Sequence, residues 1–108
     1  MASITKKFVA ELIGTFVFLS IIIVSVAGKS LSMCDKAETW IKIGLALSVA
    51  ILLVGGISGA NLNPCVSIMF YLHKDLTFEE LMIYILAQVI GAVLAYMMYK
   101  MMYSSSSN

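Results

Sequence analysis

The sequence predicts an all-α, multi-pass integral membrane protein with three transmembrane helices and one shorter re-entrant helix. Three apolar spans support this prediction, at about 8–27, 41–57 and 81–102. About 20 residues at a rise of about 1.5 Å cross the hydrocarbon, so the first and third spans are long enough and the second is slightly short. Of the 108 residues, 61% are hydrophobic and 12% are charged, and the mean hydropathy is +1.00. A water-soluble domain of this size would expose aggregating apolar surface, so the lipid bilayer is the expected solvent.

Charge and cysteine usage narrow the functional classes. The net charge is +1 and all seven basic residues are lysine, which gives no support to a nucleic-acid partner. Cys34 and Cys65 are isolated, and such cysteines in a membrane chain are more typical of small apolar fillers than of a disulfide. His73 has no cysteine or histidine at ligand spacing. We therefore expect no metal or other cofactor and, without a nucleophile–base pair or a phosphate loop, no enzymatic activity.

The first apolar span, about 8–27, follows a short N-terminal segment, residues 1–7, that contains two lysines. A signal peptide is the alternative interpretation, because Ser25 and Ala27 have the small side chains of a cleavage site. The length of the apolar run and its interruption by Glu11 favour a membrane helix instead.

Small residues recur at four-residue spacing in all three spans, which places them on one face of each helix. Such faces let two helix backbones approach closely in a membrane, so we expect helix contacts there. The members are Ala10 and Gly14 in the first span, Ala46 and Ala50 in the second, and Ala87, Gly91 and Ala95 in the third.

Polar residues mark the start of the third span and the end of the sequence. Thr77 and Glu80 have the spacing of a capping box, which predicts the start of a helix. The last residues, 103–108, are mostly serine and are expected to form a disordered polar tail.

The stretch "SGANLNPC", residues 58–65, is unusual within an apolar run that carries no charge from 43 to 72. Asn63 is a favourable N-cap and Pro64 suits the first helical position, so a helix is predicted to start here and to include residues 63–72. About ten residues form a helix of about 15 Å, which is half the thickness of the hydrocarbon.

Three glycines precede this short helix, and we expect all of them to form the irregular backbone that leads into it: Gly55, Gly56 and Gly59. Irregular backbone at membrane depth must be buried in protein or line a water-filled cavity, because lipid offers its N–H and C=O groups no partners. A re-entrant helix therefore indicates a polar pathway, with the positive end of its dipole near the midplane. A continuous helix that is kinked at Pro64 is the alternative.

Four stretches resemble the aquaporin and aquaglyceroporin family, the major intrinsic proteins. "SGANLNPCVS" is similar to the first Asn-Pro-Ala loop of that family, with Cys65 at the usual alanine position. "AELIGTFVF" resembles the first helix with its glutamate, here Glu11, and "GLALSVAILLVGGISGA" resembles the second helix. "AQVIGAVLA" resembles the third helix with its glutamine, here Gln88. A complete member carries two inverted repeats, so residues 8–102 resemble one half of a six-helix fold.

The resemblance implies a subunit of a passive channel for water or small neutral solutes. One repeat does not enclose a pore, so the implied partner is a second copy in an antiparallel homodimer or larger homo-oligomer, or a complementary second-half subunit. The implied pore motif is Asn63, Pro64 and Cys65.

The resemblance also assigns the residues around this motif. The mouth-lining positions fall on Ile43, Ile51, Ala60 and Val66, without the arginine that narrows the mouth in the family. Two apolar mouths imply looser selection for water and entry of small neutral solutes such as glycerol or ammonia. Glu11 and Gln88 are implied to support the re-entrant loop.

The lysines near the helix ends give almost no orientation signal, as dual insertion requires. Three are expected on one side of the membrane and four on the other: Lys6, Lys7 and Lys74 against Lys29, Lys36, Lys42 and Lys100. Two other functions stay open. One is a small dual-topology exporter that couples transport to protons through Glu11, and the other is a non-conducting membrane protein that keeps the half-channel fold.

Overall fold

The computed structural model describes residues 2–27 and 37–103, which form four α-helices and contain no strand. The helices are α1 (Ile4–Val26), α2 (Ala37–Ser58), α3 (Pro64–Leu72) and α4 (Phe78–Tyr103). α1, α2 and α4 are long and apolar enough to cross a membrane. The predicted fold class, three membrane helices and one short helix between the second and third, is confirmed. Cys34, Lys29 and Lys36 lie outside the described residues, as do residues 104–108 of the predicted tail, 103–108. The first residue of that tail, Tyr103, is the last residue of α4.

α1 and α4 start before their predicted apolar spans, and polar residues cap both starts. The hydroxyl of Ser3 accepts a hydrogen bond from the Lys6 N–H at 3.3 Å, so α1 already includes both N-terminal lysines. The predicted capping box before α4 is confirmed: the Glu80 N–H donates to Thr77 Oγ1 at 3.1 Å, and the Thr77 N–H donates to Glu80 Oε1 at 3.2 Å. The other Glu80 oxygen accepts from Lys7 Nζ at 2.7 Å, which joins the starts of α1 and α4.

α1 packs against both α2 and α4, and α3 packs against α4. The predicted small-residue faces are confirmed as the helix contacts, because all seven of the small residues predicted to form them are buried. At Gly91 the approach is so close that an added Cβ would lie 2.8 Å from the Leu12 carbonyl oxygen. At Gly14 an added Cβ would meet Leu62 at 2.7 Å and Val54 at 2.9 Å.

The prediction that three glycines form irregular backbone is wrong for two of them. Gly55 and Gly56 lie within α2, which continues to Ser58. Of the three, only Gly59 leaves the helix, with φ +85°. A helix that satisfies its own backbone groups is strongly favoured in lipid, so it continues through glycines that would end it in water.

Between α2 and α3 the irregular backbone is five residues long. Ala60 has φ +51° and Leu62 has φ +59°, values in the left-handed region that cost energy for residues with a Cβ. The surrounding contacts hold these conformations: Leu62 is 4% exposed and is packed against Gly14 of α1. This segment, residues 59–63, is referred to below as the re-entrant loop.

Candidate pore segment and its support

The carboxylate of Glu11 is the centre of the structure that holds the re-entrant loop. Its side chain is fully buried in the middle of α1, on the face toward the loop. Oε1 accepts hydrogen bonds from the Asn61 N–H at 2.8 Å and from the Ser58 hydroxyl at 2.7 Å. Oε2 accepts from the Leu62 N–H at 2.7 Å and from Gln88 Nε2 at 3.0 Å. The carboxylate thus binds two backbone N–H groups of the loop and one side chain each from α2 and α4.

All four of these groups donate, so the arrangement fits an ionised carboxylate, which only accepts. Hydrogen bonds to a charged group are shorter and about twice as strong as neutral ones. In the apolar interior, where no water satisfies the loop backbone, they also remove the cost of two buried N–H groups. Ala60 and Leu62, the two loop residues with left-handed backbone, lie on either side of Asn61 in the sequence. Leu62 itself donates the second backbone hydrogen bond to Glu11.

A second set of hydrogen bonds surrounds the first and joins the loop to α3 and α4. Ser67 of α3 is fully buried, and its hydroxyl oxygen accepts from Asn61 Nδ2 at 3.0 Å and from Gln88 Nε2 at 2.9 Å. The Tyr84 hydroxyl, on a residue that is 1% exposed, donates to the Ser58 carbonyl at 2.6 Å. This carbonyl ends α2, where the helix itself provides no donor.

Sequence reasoning assigned Glu11 and Gln88 to the support of the loop but missed the other members of this network. The missed residues are Ser58, Asn61, Ser67 and Tyr84. A signal for three of them is present in the sequence, because polar side chains within an apolar membrane segment need internal partners. Tyr84 gives no such signal, since a tyrosine in a membrane helix is ordinary.

The predicted pore motif starts α3 and faces outward. Asn63 Oδ1 accepts from the Cys65 N–H at 2.8 Å, which makes Asn63 the N-cap of α3 with Pro64 at the first position. Asn63 and Cys65 are both exposed. The Asn63 side chain is therefore exposed while its amide oxygen caps the helix.

The four predicted mouth residues are spread over α2, the re-entrant loop and α3. Ile51 and Ala60 both lie about 4 Å or less from the place of a Cβ on Gly55, so these two are neighbours. Ile43 lies eight residues before Ile51, about 12 Å along α2. Val66 lies on the first turn of α3, and it is half-buried. Their role in a pore mouth stays a prediction.

The outward faces of this four-helix unit are apolar. Leu52 and Leu53 of α2 are 83% and 58% exposed, and Met101 of α4 is 78% exposed. The described residues contain no group of three or more His, Cys, Asp or Glu side chains that could hold a metal. Apolar outer faces around a buried polar network are the pattern of a protein whose solvent is lipid.

The whole sequence, residues 1–108, matches the family described as Major intrinsic protein. The chain belongs to this family. It is therefore an integral membrane protein whose relatives are channels or facilitators rather than enzymes. Members of the family form oligomers in the bilayer.

Three relatives within the major intrinsic protein family illustrate the range of names. Aquaporin NIP3-1 of Arabidopsis thaliana is 35% identical over 98 residues, which is 86% of this chain and 29% of the relative. Propanediol uptake facilitator PduF of Citrobacter freundii is 37% identical over 106 residues, which is 90% of this chain and 38% of the relative. The glycerol uptake facilitator protein of Pseudomonas aeruginosa is 35% identical over 108 residues, 95% of this chain and 38% of the relative. The chain thus spans between 29% and 38% of the length of these relatives.

Proposed function

We propose that this chain is one half of a passive membrane channel for water or small neutral solutes. The single observation that carries the proposal is the exposed polar start of α3. α3 has nine residues and is about 13 Å long, so a helix that returns to one membrane surface begins near the midplane. There Asn63 and Gly59 are exposed. Lipid offers no hydrogen-bond partner to the Asn63 amide or to exposed loop backbone, so in the proposal a second protein half and a water-filled path cover this surface.

The second half is proposed to be another copy of the chain in the opposite orientation. α1 and α4 begin on one side of the membrane, because Lys7 and Glu80 pair there, and α2 begins on the other. Two lysines of the first turns and Lys74 lie on the first side, and Lys42 and Lys100 lie on the second. Lys29 and Lys36 lie outside the described residues, and with them the sequence has three lysines against four, a near-balance that permits insertion both ways. If the purified chain inserts in one orientation only, a complementary second-half subunit replaces the second copy in the proposal.

The chemistry of the exposed start of α3 supports passage of neutral molecules that form hydrogen bonds. The free amide N–H groups of Asn63 donate, and the helix dipole makes the site unfavourable for a cation. Because the sequence has no arginine, no fixed guanidinium narrows the mouths, and the four predicted mouth residues are apolar. Small polyols are therefore expected to pass as well as water. Two of the relatives are named for the uptake of such compounds, propanediol and glycerol.

The geometry around Glu11 favours this function over proton-coupled export. A proton carrier must release its proton to water on each side, whereas Glu11 is fully buried and both of its oxygens are engaged by donors. Its four contacts support a holding role. The exporter hypothesis requires that Glu11→Gln abolishes transport while the fold persists.

Stopped-flow light scattering of vesicles that contain the purified chain tests the proposal. An osmotic step with an impermeant solute measures water flux, and a glycerol gradient measures glycerol entry. The test variant is Asn63→Leu, which keeps the branching of the side chain, removes the amide and costs the cap about 1 kcal/mol. The matched control is Asn108→Leu, the same replacement at the last residue of the sequence.

Fast shrinkage in vesicles with the wild-type chain and with the control, but not with Asn63→Leu, supports the channel. Wild-type vesicles that shrink no faster than empty ones, although the chain is inserted in both orientations, contradict it. That result favours the non-conducting membrane protein that keeps the half-channel fold.

A further inference from the structure

Four methionines gather around one groove near the end of α4. Met97, Met98, Met101 and Met102 line an open cavity of about 420 Å³, together with Leu94 and three residues of α1. Met97 and Met101 are four residues apart, as are Met98 and Met102, so the four side chains occupy one arc of the helix surface of roughly 140°. Half of the eight methionines of the chain are in this groove, referred to below as the methionine groove.

The chemistry of the methionine groove is unusual for a membrane surface because its only heteroatoms on side chains are thioether sulfurs. The other lining residues are Leu12, Ile13, Phe16 and Leu94. Thioethers are soft, neutral ligands that carry no proton to lose, and they select Cu(I) over hard cations. Mg²⁺, Ca²⁺ and Mn²⁺ need oxygen ligands, which the side chains of this groove do not offer.

The position and mobility of these side chains suit a metal that enters from the membrane surface. α4 has 26 residues and is about 39 Å long, longer than the hydrocarbon, so its last turns reach the headgroup region. Met97, Met101 and Met102 are 51%, 78% and 60% exposed. Methionine is unbranched and flexible, so three or four sulfurs can converge on one ion. Lys100, the basic residue in the last turn of α4, lies outside the arc.

We propose that the methionine groove binds a soft monovalent metal ion, Cu(I) or its analogue Ag(I), through the thioether sulfurs of Met97, Met98, Met101 and Met102. The site is separate from the pore motif and does not depend on whether the chain conducts. The competing explanation is that these methionines only provide apolar contact for lipid or a neighbouring subunit. Leucine would serve that purpose equally well, whereas it cannot bind a metal.

Transfer of Cu(I) from its coloured bicinchoninate complex tests this proposal. The chain is purified in detergent and studied without oxygen in the presence of ascorbate. The background is Cys34→Ser with Cys65→Ser, because thiolates bind Cu(I) strongly on their own. The test variant replaces all four methionines of the groove by leucine, a change of similar volume that a packed site usually tolerates. The matched control is Met69→Leu with Met82→Leu, two exposed methionines outside the groove.

The proposal predicts that the background chain and the control each take up a single copper ion per chain. The four-leucine variant should bind it at least about tenfold more weakly, since even changes outside a ligand set cost that much. Circular dichroism of each variant shows that the helices are retained. The proposal is overturned if the background chain takes no copper from the complex, or if the folded four-leucine variant binds it as tightly as the control.

Discussion

Glu11→Gln is the substitution that most directly probes how the re-entrant loop is held. The two side chains have nearly the same shape, so the change replaces one acceptor oxygen by an NH₂ group and removes the charge. In the structure each carboxylate oxygen accepts one backbone N–H, from Asn61 at 2.8 Å on Oε1 and from Leu62 at 2.7 Å on Oε2. Whichever way the new amide is oriented, one of these backbone donors faces another donor.

The side-chain partners can adapt but the backbone cannot. The Ser58 hydroxyl can turn fully to the Val54 carbonyl, which it already approaches at 3.4 Å, and the Gln88 amide can turn its oxygen toward the new NH₂ group. One buried N–H then stays unpaired, at a cost of about 1–3 kcal/mol, and the remaining bonds lose the strength of a charged acceptor. We expect a total loss of about 3 kcal/mol of unfolding free energy.

This loss is measured by unfolding the purified chain in mixed micelles. Sodium dodecyl sulfate is titrated in, and circular dichroism follows the helices. The matched control is Glu79→Gln, the same chemical change at an exposed residue in the first turn of α4. The control should cost less than about 1 kcal/mol, the usual effect of a carboxylate at a helix start. If Glu11→Gln unfolds at the same denaturant fraction as Glu79→Gln, the loop is not held by this carboxylate and the reasoning fails.

Two further substitutions test the packing and the outer part of the network. Gly91→Ala should cost about 1–3 kcal/mol of unfolding free energy, because its Cβ would lie 2.8 Å from the rigid Leu12 carbonyl. Gly44→Ala is the control, since an added Cβ on Gly44 meets nothing within 4 Å and the change should be neutral or stabilising. Equal unfolding midpoints for the two alanine variants would contradict the close contact between α1 and α4. Tyr84→Phe should cost about 1–2 kcal/mol, because it removes the 2.6 Å hydrogen bond to the carbonyl that ends α2. The control is Tyr96→Phe, at a residue that is 53% exposed, and it should have no effect. If Tyr84→Phe loses no more unfolding free energy than Tyr96→Phe, Tyr84 is not part of the network.

Local chemistry explains which parts of the fold the sequence predicts well. Asn63 starts α3, and Thr77 with Glu80 starts α4, because each of these polar side chains accepts from a backbone N–H two or three residues away. Pro64 suits the first position of α3 because it has no N–H to satisfy. Such signals need no knowledge of distant residues. The apolar spans are equally local, since lipid requires a helix wherever about 20 apolar residues follow each other.

The re-entrant loop was harder to predict because its conformation depends on residues far away in the sequence. Gly55 and Gly56 were expected to be irregular, yet α2 continues through them. The left-handed backbone is instead at Ala60 and Leu62, two residues that rarely adopt it. Hydrogen bonds that the loop backbone donates to the Glu11 carboxylate, and the space left by a glycine in α1, make these conformations possible.

The supporting network was only partly predictable for the same reason. The family resemblance assigned Glu11 and Gln88 to the support of the loop, and in the structure Gln88 Nε2 donates to Glu11 Oε2 at 3.0 Å. Ser67 and Asn61 could have been selected as polar residues in an apolar segment, but not paired with each other. The pairing depends on the backbone between them, with Leu62 at φ +59°, which neither composition nor spacing specifies.

We propose above that a second, inverted copy covers the exposed start of α3. Cross-linking of Cys65 in vesicles that contain only this chain, with Cys34→Ser, measures this most directly, because the two Cys65 thiols would meet near the symmetry axis. A short bismaleimide should join two copies through Cys65, whereas a chain with Cys65→Ser and Leu52→Cys, at a position 83% exposed on α2, should stay single. The joined copies should have opposite orientations, which protease access from each side of the membrane shows. The proposed inverted dimer is contradicted if Cys65 cross-links no better than the Leu52→Cys control and all copies have the same orientation in the membrane.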